Sequence, residues 1–187
     1  MTLQNFTSAV RDFMEIGGQS IDWRNRRQAA LYVGLIVEEL AEMLQALDIP
    51  VWNTLEEVSR DLKKGAWDHK LDCDDVPVLD AAVDLAWVSI GLMYSLGADA
   101  GGAVREVIRS NMSKFEGCEV CGCTGEFLDE FHGRYEKCGK CHGHGLIAGR
   151  DSDGKIQKSR NYSAPDLAPF VSNESRYAAS ANEGSDV

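Results

Sequence analysis

The chain has 187 residues, 44% hydrophobic and 26% charged with only 4 prolines, a soluble globular composition with helical leanings that fits one ordinary domain plus a small appendage and excludes two large ones. Acidic residues outnumber basic ones 30 to 19, for a formal charge of -11, so the protein as a whole repels a nucleic-acid backbone or an anionic membrane and has to meet any anionic substrate locally, through a metal. The opening MTLQNFTSAVRDFMEI lacks the basic stretch and unbroken apolar run of a secretory signal; this assigns the chain to a reducing cytoplasm and its six cysteines to something other than disulfides.

In chain order, Phe6, Val10, Phe13 and Met14 recur at helical spacing and predict an amphipathic helix that ends at Gly17-Gly18. A longer helix is expected from about Arg24 to Leu47, stopped by Asp48 and Pro50. Asn53 to Lys64 reads as a short, polar, peripheral helix, capped by Asn53 or Thr54. Pro77 opens a strongly apolar helix from about Val78 to Leu96, closed by Gly97, and another follows from about Asp99 to Phe115. From Gly117 glycine and cysteine become dense and helical periodicity vanishes. The domain reading is a helical core over 1–117, a cysteine unit over 118–145, a polar return segment over 146–170 and a disordered tail over 171–187.

The second helix is apolar nearly all round, with Val33, Leu40, Leu44 and Leu47 on one side and Leu31, Leu35 and Ala46 on the other, yet Glu38, Glu39 and Glu42 sit in its middle at i, i+3 and i, i+4 spacing. Most helical acids lie on a solvated face; here little such face exists. The fourth helix repeats the pattern, its only acids between Val78 and Tyr94 being Asp80 and Asp84, on a face shared with Trp87 and Gly91. Two unit charges about 4 Å apart at an effective dielectric of about 20 repel by roughly 4 kcal/mol, so such a cluster must protonate or hold a cation. All-oxygen ligands suit Mg²⁺ or Mn²⁺. Asp80 and Asp84 also argue against a membrane span.

LIVEELAEML, DAAVDLAWVSIGLMYSLGAD and EVIRSNMSKF, in that order, resemble the MazG-like, phosphoribosyl-ATP pyrophosphohydrolase-like all-α NTP pyrophosphohydrolases, especially the phage-type members; the resemblance covers roughly residues 5–115 and returns at DGKIQKSRNYSAPDL. It implies cleavage of a nucleoside triphosphate to the monophosphate and pyrophosphate, on deoxynucleotides, with purine ones such as dGTP or dATP among the substrates of some relatives. Carried over by position, Glu39, Glu42 and Asp84 are ligands of Mg²⁺ or Mn²⁺, and Glu38 orients or deprotonates the attacking water. Many members carry E-x-x-D on the second metal helix; here Ala81 stands three before Asp84, and Asp80, four before it, takes the missing ligand's place. No GxxxxGK[ST] is present, so metal and basic side chains must hold the phosphates. Arg109, Asn111 and Lys114 resemble the family's phosphate-side residues, with plain surface solubility the alternative. Lys155, Lys158 and Arg160 either close over the triphosphate as a lid or are ordinary loop charges, Tyr162 is a candidate to stack on base or ribose, and Trp23 either stacks on the base or fills the core.

Cys118-x2-Cys121 and Cys138-x2-Cys141, 16 residues apart, have the spacing of a four-thiolate zinc site. CGKCHGHG, and less closely CEVCGCTG, resemble a knuckle of the DnaJ-type cysteine-rich region. Cys123, His142 and His144 read as bystanders and Cys73 as a lone thiol. So short a unit cannot build its own core, so structural Zn²⁺ supplies its folding free energy. A second function class is a zinc-dependent nucleic-acid or protein binding module on a helical scaffold: residues 134–160 carry seven Lys/Arg against three Asp/Glu, though with little aromatic interleaving beyond Tyr135. The favoured expectation is an all-α MazG-like bundle with a zinc-knuckle insertion, completed as a homodimer or homotetramer, with a nucleoside triphosphate as partner and neither membrane nor nucleic acid.

Overall fold

The structure is a computed structural model that describes residues 3–20, 25–67, 75–129 and 131–171. Its helices are α1 Leu3–Ile16, α2 Arg26–Ala46, α3 Trp52–Lys63, α4 Asp75–Ser95 and α5 Ala100–Met112. Asn25 caps α2 by accepting the Gln28 amide at 3.1 Å, and Asp99 caps α5 by accepting the Gly102 amide at 2.9 Å. The α3 N-cap is Val51, without a side-chain cap, and neither Asn53 nor Thr54 serves there. Helices α1 to α4 all stop on a left-handed residue, at Gly18, Asp48, Gly65 and Gly97, whose amide bonds three residues back while the next amide bonds five back.

The tightest packing joins α2 to α3. Ser59 is buried and its hydroxyl donates to the Gly34 carbonyl oxygen at 2.8 Å. Gly34 permits that approach, since a Cβ there would stand 2.7 Å from Lys63 Cγ and 3.1 Å from the Ser59 carbonyl oxygen. Helix α1 packs on the turn that follows α5 through Phe13 and Phe115, whose ring centroids lie 5.1 Å apart.

After the cysteine unit the chain runs back along α5 from its end to its start. Ser159 Oγ donates to the Ser113 carbonyl oxygen (3.0 Å), the Ser163 amide to Ser113 Oγ (2.9 Å), Arg109 to the Ala164 carbonyl oxygen (3.0 Å) and the Asp166 amide to Glu106 (2.9 Å). A 3-10 helix at Ala168–Phe170 then receives the Asp99 amide on the Phe170 carbonyl oxygen at 2.9 Å. This returning strap, 149–166, also docks at the end of α1, where Ile156 is buried and lies so near Gly17 that a Cβ there would meet its Cδ1.

The all-α expectation is overturned. Strand β1 Glu116–Gly117 pairs antiparallel with β4 Leu146–Ile147, and β2 Glu126–Asp129 with β3 Arg134–Lys137. The fold is mostly helical with two small antiparallel ladders. The physical reason lies in the cysteine unit: the chain entering and leaving two facing loops runs extended, and extended backbone satisfies its amides across the ladder instead of along the chain.

Helix α4 has no buried residue. An open cleft of about 510 Å³ separates it from α2, with Ala82, Leu85, Ala86 and Ser89 facing Ile36, Glu39 and Met43. Its opposite face carries Val83, Trp87 and Tyr94, 59%, 78% and 67% exposed. Among the described residues it is the one helix long and apolar enough to cross a membrane, by length and composition alone.

Candidate functional site

The cysteine unit is a pair of near-identical knuckles that close on each other. The Cys118 amide donates to the Gly145 carbonyl oxygen at 2.9 Å and the Cys138 amide to that of Gly125 at 2.8 Å, so each loop is bonded to the end of the other. Gly125 and Gly145 then turn their own amides onto Cys121 Sγ and Cys141 Sγ, both at 3.3 Å. Both glycines sit at positive φ, and a Cβ on either would fall 2.3 Å from a carbonyl oxygen of the opposite loop, Gly143 or Cys123.

Cys118, Cys121, Cys138 and Cys141 are all buried, and their sulfurs lie within 4.8 Å of one another. The Cys118–Cys138 and Cys121–Cys141 sulfurs stand 3.8 and 3.7 Å apart. Four sulfurs about 2.3 Å from one tetrahedral ion would be roughly 3.8 Å apart, so the cluster can hold a metal ion such as zinc. Burial pushes the Cys118 thiol up to about 11; at Cys121 burial is outweighed by the Gly125 amide and the neighbouring sulfurs, and that thiol falls to about 7. Cys123 is exposed and outside the cluster, as are His142 and His144.

The acids of α2 divide between two faces. Glu38 and Glu42 look toward α3, in a cleft shared with Glu56, Ser59, Arg60 and Lys63; Glu39 looks toward α4. Glu38 is clamped: its Oε1 accepts from Lys63 Nζ and its Oε2 from Lys155 Nζ, each at 2.7 Å. Burial pushes this carboxyl up, but the two lysines more than offset it and hold it below the usual range. Glu39 moves the other way, raised by burial and then by Glu42 and Glu38, with Lys155 and Lys114 offsetting only part.

Lys114 is half-buried over the Phe13 ring, 5.6 Å from its centroid. Its ammonium is made more acidic by burial, and further by Lys155 and Lys158. Lys158 lies over the Tyr162 ring at 4.6 Å. Lys114, just past the end of α5, and Lys155 from the strap therefore lie beside Glu38 and Glu39. Lys63 belongs to this cluster too. No local pattern marks it, because it meets Glu38 from 25 positions away.

Other expected residues go elsewhere. Arg109 pairs with Glu106 at 2.7 Å and holds the strap. Arg160 faces Glu116 and Glu119 at 3.8 and 4.0 Å. Asn111 lines an apolar recess with Phe6, Val10 and Tyr32. Asp80 and Asp84 are exposed and, by helical periodicity, lie on the side of α4 turned away from α2. Among the described residues the cysteines are the one group of three or more ligands close enough to share an ion, so Glu39, Glu42, Asp80 and Asp84 do not converge within a single chain. Trp23, Cys73 and 172–187 of the tail lie outside the described residues. Comparison with family models, with curated proteins and with solved structures finds no match to this chain.

Proposed function

We propose that this protein is a MazG-like pyrophosphohydrolase that converts a (deoxy)nucleoside triphosphate to the monophosphate and pyrophosphate, acts as a homo-oligomer, and carries one structural zinc per chain in its cysteine knuckle. The observation that carries the catalytic reading is the gathering of Lys63, Lys114 and Lys155 around Glu38 and Glu39, with Lys63 and Lys155 bonded to Glu38. A triphosphate needs cations along its length and a carboxylate beside the attacked phosphorus, and phosphoryl transfer is mainly positioning and electrostatics. Tyr162, held by Lys158 over its ring, is the residue offered to base or ribose.

A divalent cation would neutralise phosphate charge as the attacking water approaches. One chain offers it Glu39 and Glu42 on α2; Asp80 and Asp84 point outward and reach such a site only in a second copy. Three features support that second copy. The outer face of α4 is apolar and bare, the two aspartates make a membrane span costly, and a Cβ on Gly91, on that face, would meet nothing within 4 Å. A glycine inside a helix costs about 1 kcal/mol relative to alanine, and a close approach by another chain accounts for it where contacts within the chain do not.

The test is a product assay with Mg²⁺ or Mn²⁺ across the common NTPs and dNTPs: pyrophosphate and monophosphate are expected, and orthophosphate from every nucleotide would refute the reaction class. One observation favours the binding-module reading: the β2–β3 hairpin exposes Phe131 (91%) and Tyr135 (72%). Tight oligonucleotide binding, lost in Phe131→Ala, together with no hydrolysis would select it.

A further inference from the structure

The geometry points to an exchangeable latch: we propose that Glu38 and a polyphosphate anion compete for the Lys155 ammonium, so that Lys155 is bonded to Glu38 in the empty protein and passes to the anion when one binds. The inference rests on the phosphate-site reading above and deepens it by assigning how the site is gated.

Both oxygens of Glu38 are taken, one by each lysine. Each oxygen keeps a second lone pair, but two ammonium groups hold the carboxylate below its usual basicity, so Glu38 becomes a stronger base when one lysine leaves. The two are not equivalent. Lys63 sits in the last turn of α3 with its stem against Gly34 and a side chain 17% exposed, whereas Lys155 rises from the non-helical strap and is 41% exposed. Lys155 is the partner free to move.

Its backbone, by contrast, is held. The Asp151 carboxylate accepts the amides of Asp153 and Lys155 at 3.0 and 2.9 Å, the Gln157 amide bonds the Gly149 carbonyl oxygen at 2.9 Å, and the neighbouring Ile156 is buried. The exchange is therefore a swing of the four-carbon side chain about a fixed base, which costs rotamer freedom but no loop opening.

The destination is set by charge. Among the described residues no carboxylate lies within ion-pair distance of Lys114 or Lys158, and both bear on the same ground as Lys155. Lys63, Lys114, Lys155 and Lys158 outnumber the Glu38 and Glu39 carboxylates beside them, and the surplus positive charge attracts a multiply charged anion. As Lys155 turns to that anion, Glu38 loses one of the two ammonium groups that depress its pKa, so the carboxylate becomes a stronger base when phosphate is in place.

The experiment is calorimetric binding of inorganic tripolyphosphate to the full-length protein without added divalent metal. Wild type, Glu38→Gln, Lys155→Gln and the double variant form one cycle. Competition predicts that Glu38→Gln tightens binding by about threefold or more, that Lys155→Gln weakens it, and that Glu38→Gln brings no gain once Lys155 is absent. An equal gain in both backgrounds, meaning a mere field effect, overturns the latch, and so does no gain in either. If Glu38→Gln does not fold, Glu38→Asp, which keeps the charge but draws it back from Lys155, takes its place with the same expectation. The two readings fail separately: the coupling without pyrophosphate release from any nucleotide upholds the latch and removes the catalytic reading, while hydrolysis without the coupling overturns the latch alone.

Discussion

Glu106 shows how a residue read only as part of a helix carries the strap. Its carboxylate receives both Arg109 and the Asp166 amide, and these interactions draw its pKa to about 2. A carboxyl whose folded value lies below its unfolded one contributes stability that is fully present above the unfolded value, about 4.3, and is lost as pH falls toward the folded value. The attachment of 163–166 to α5 should therefore hold at neutral pH and weaken progressively between about pH 4.3 and 2. Amide exchange at Asp166 measures this. Glu106→Gln should lower the protection of that amide at pH 7 and make its protection factor, taken against intrinsic exchange at each pH, nearly independent of acid over that window, and an unchanged acid limb in the protection factor would show that another group controls it. Arg109, expected at the phosphates, is the other half of this anchor, so its substitution should loosen the strap before it affects any chemistry.

At the scale of elements, the cysteine knuckle is the unit whose outline was most legible. Two CxxC pairs and their glycines act over four or five residues, and local spacing is enough to specify a loop that turns amides onto sulfur. The extended flanks were missed because β1 and β4 have two residues each and pair across 29 positions, too short a run for a periodicity of two to register. Protein purified without chelator should contain about one zinc per chain. Cys138→Ser should abolish that and loosen residues 118–147 while the helical circular dichroism stays close to wild type. Complete unfolding in this variant would mean that the knuckle supports the α5–strap packing and is not a separate appendage. The α2–α3 hairpin is the opposite case: α3 reads as polar and peripheral, yet Ser59 and Lys63 make it the principal partner of α2.

At the scale of the whole molecule, one chain is short of partners. Among the described residues few apolar side chains are buried, the four cysteines form a buried cluster, and α4 has no buried residue. If α4 brings Asp84 to the Glu39 of a second copy, Glu39→Gln and Asp84→Asn should each be inactive alone and regain activity when mixed after subunit exchange. In a two-fold dimer half of the mixed dimers are heterodimers, each with one intact site, so recovery of about a quarter of wild-type activity is expected. No recovery, with exchange verified by mass, would place all the ligands in one chain and return attention to α3, where Glu57→Gln or Asp61→Asn would then be the inactivating changes. Val83→Asp, on the bare face of α4, should shift the protein toward monomer in size-exclusion chromatography.

By itself the sequence determined the helices, the glycine stops of α1 and α4, the cysteine knuckle and the acids of α2, because each is written within one or two turns of chain. Only the tertiary structure decided what those acids meet. Lys63 and Lys155 reach Glu38 across 25 and 117 residues, and such a meeting depends on how α3 and the strap pack, which no local spacing encodes. The same holds for α4, whose composition announces an apolar helix with two aspartates but not the direction in which they point. That direction follows from which stripe of the helix faces α2, a property of the packed fold.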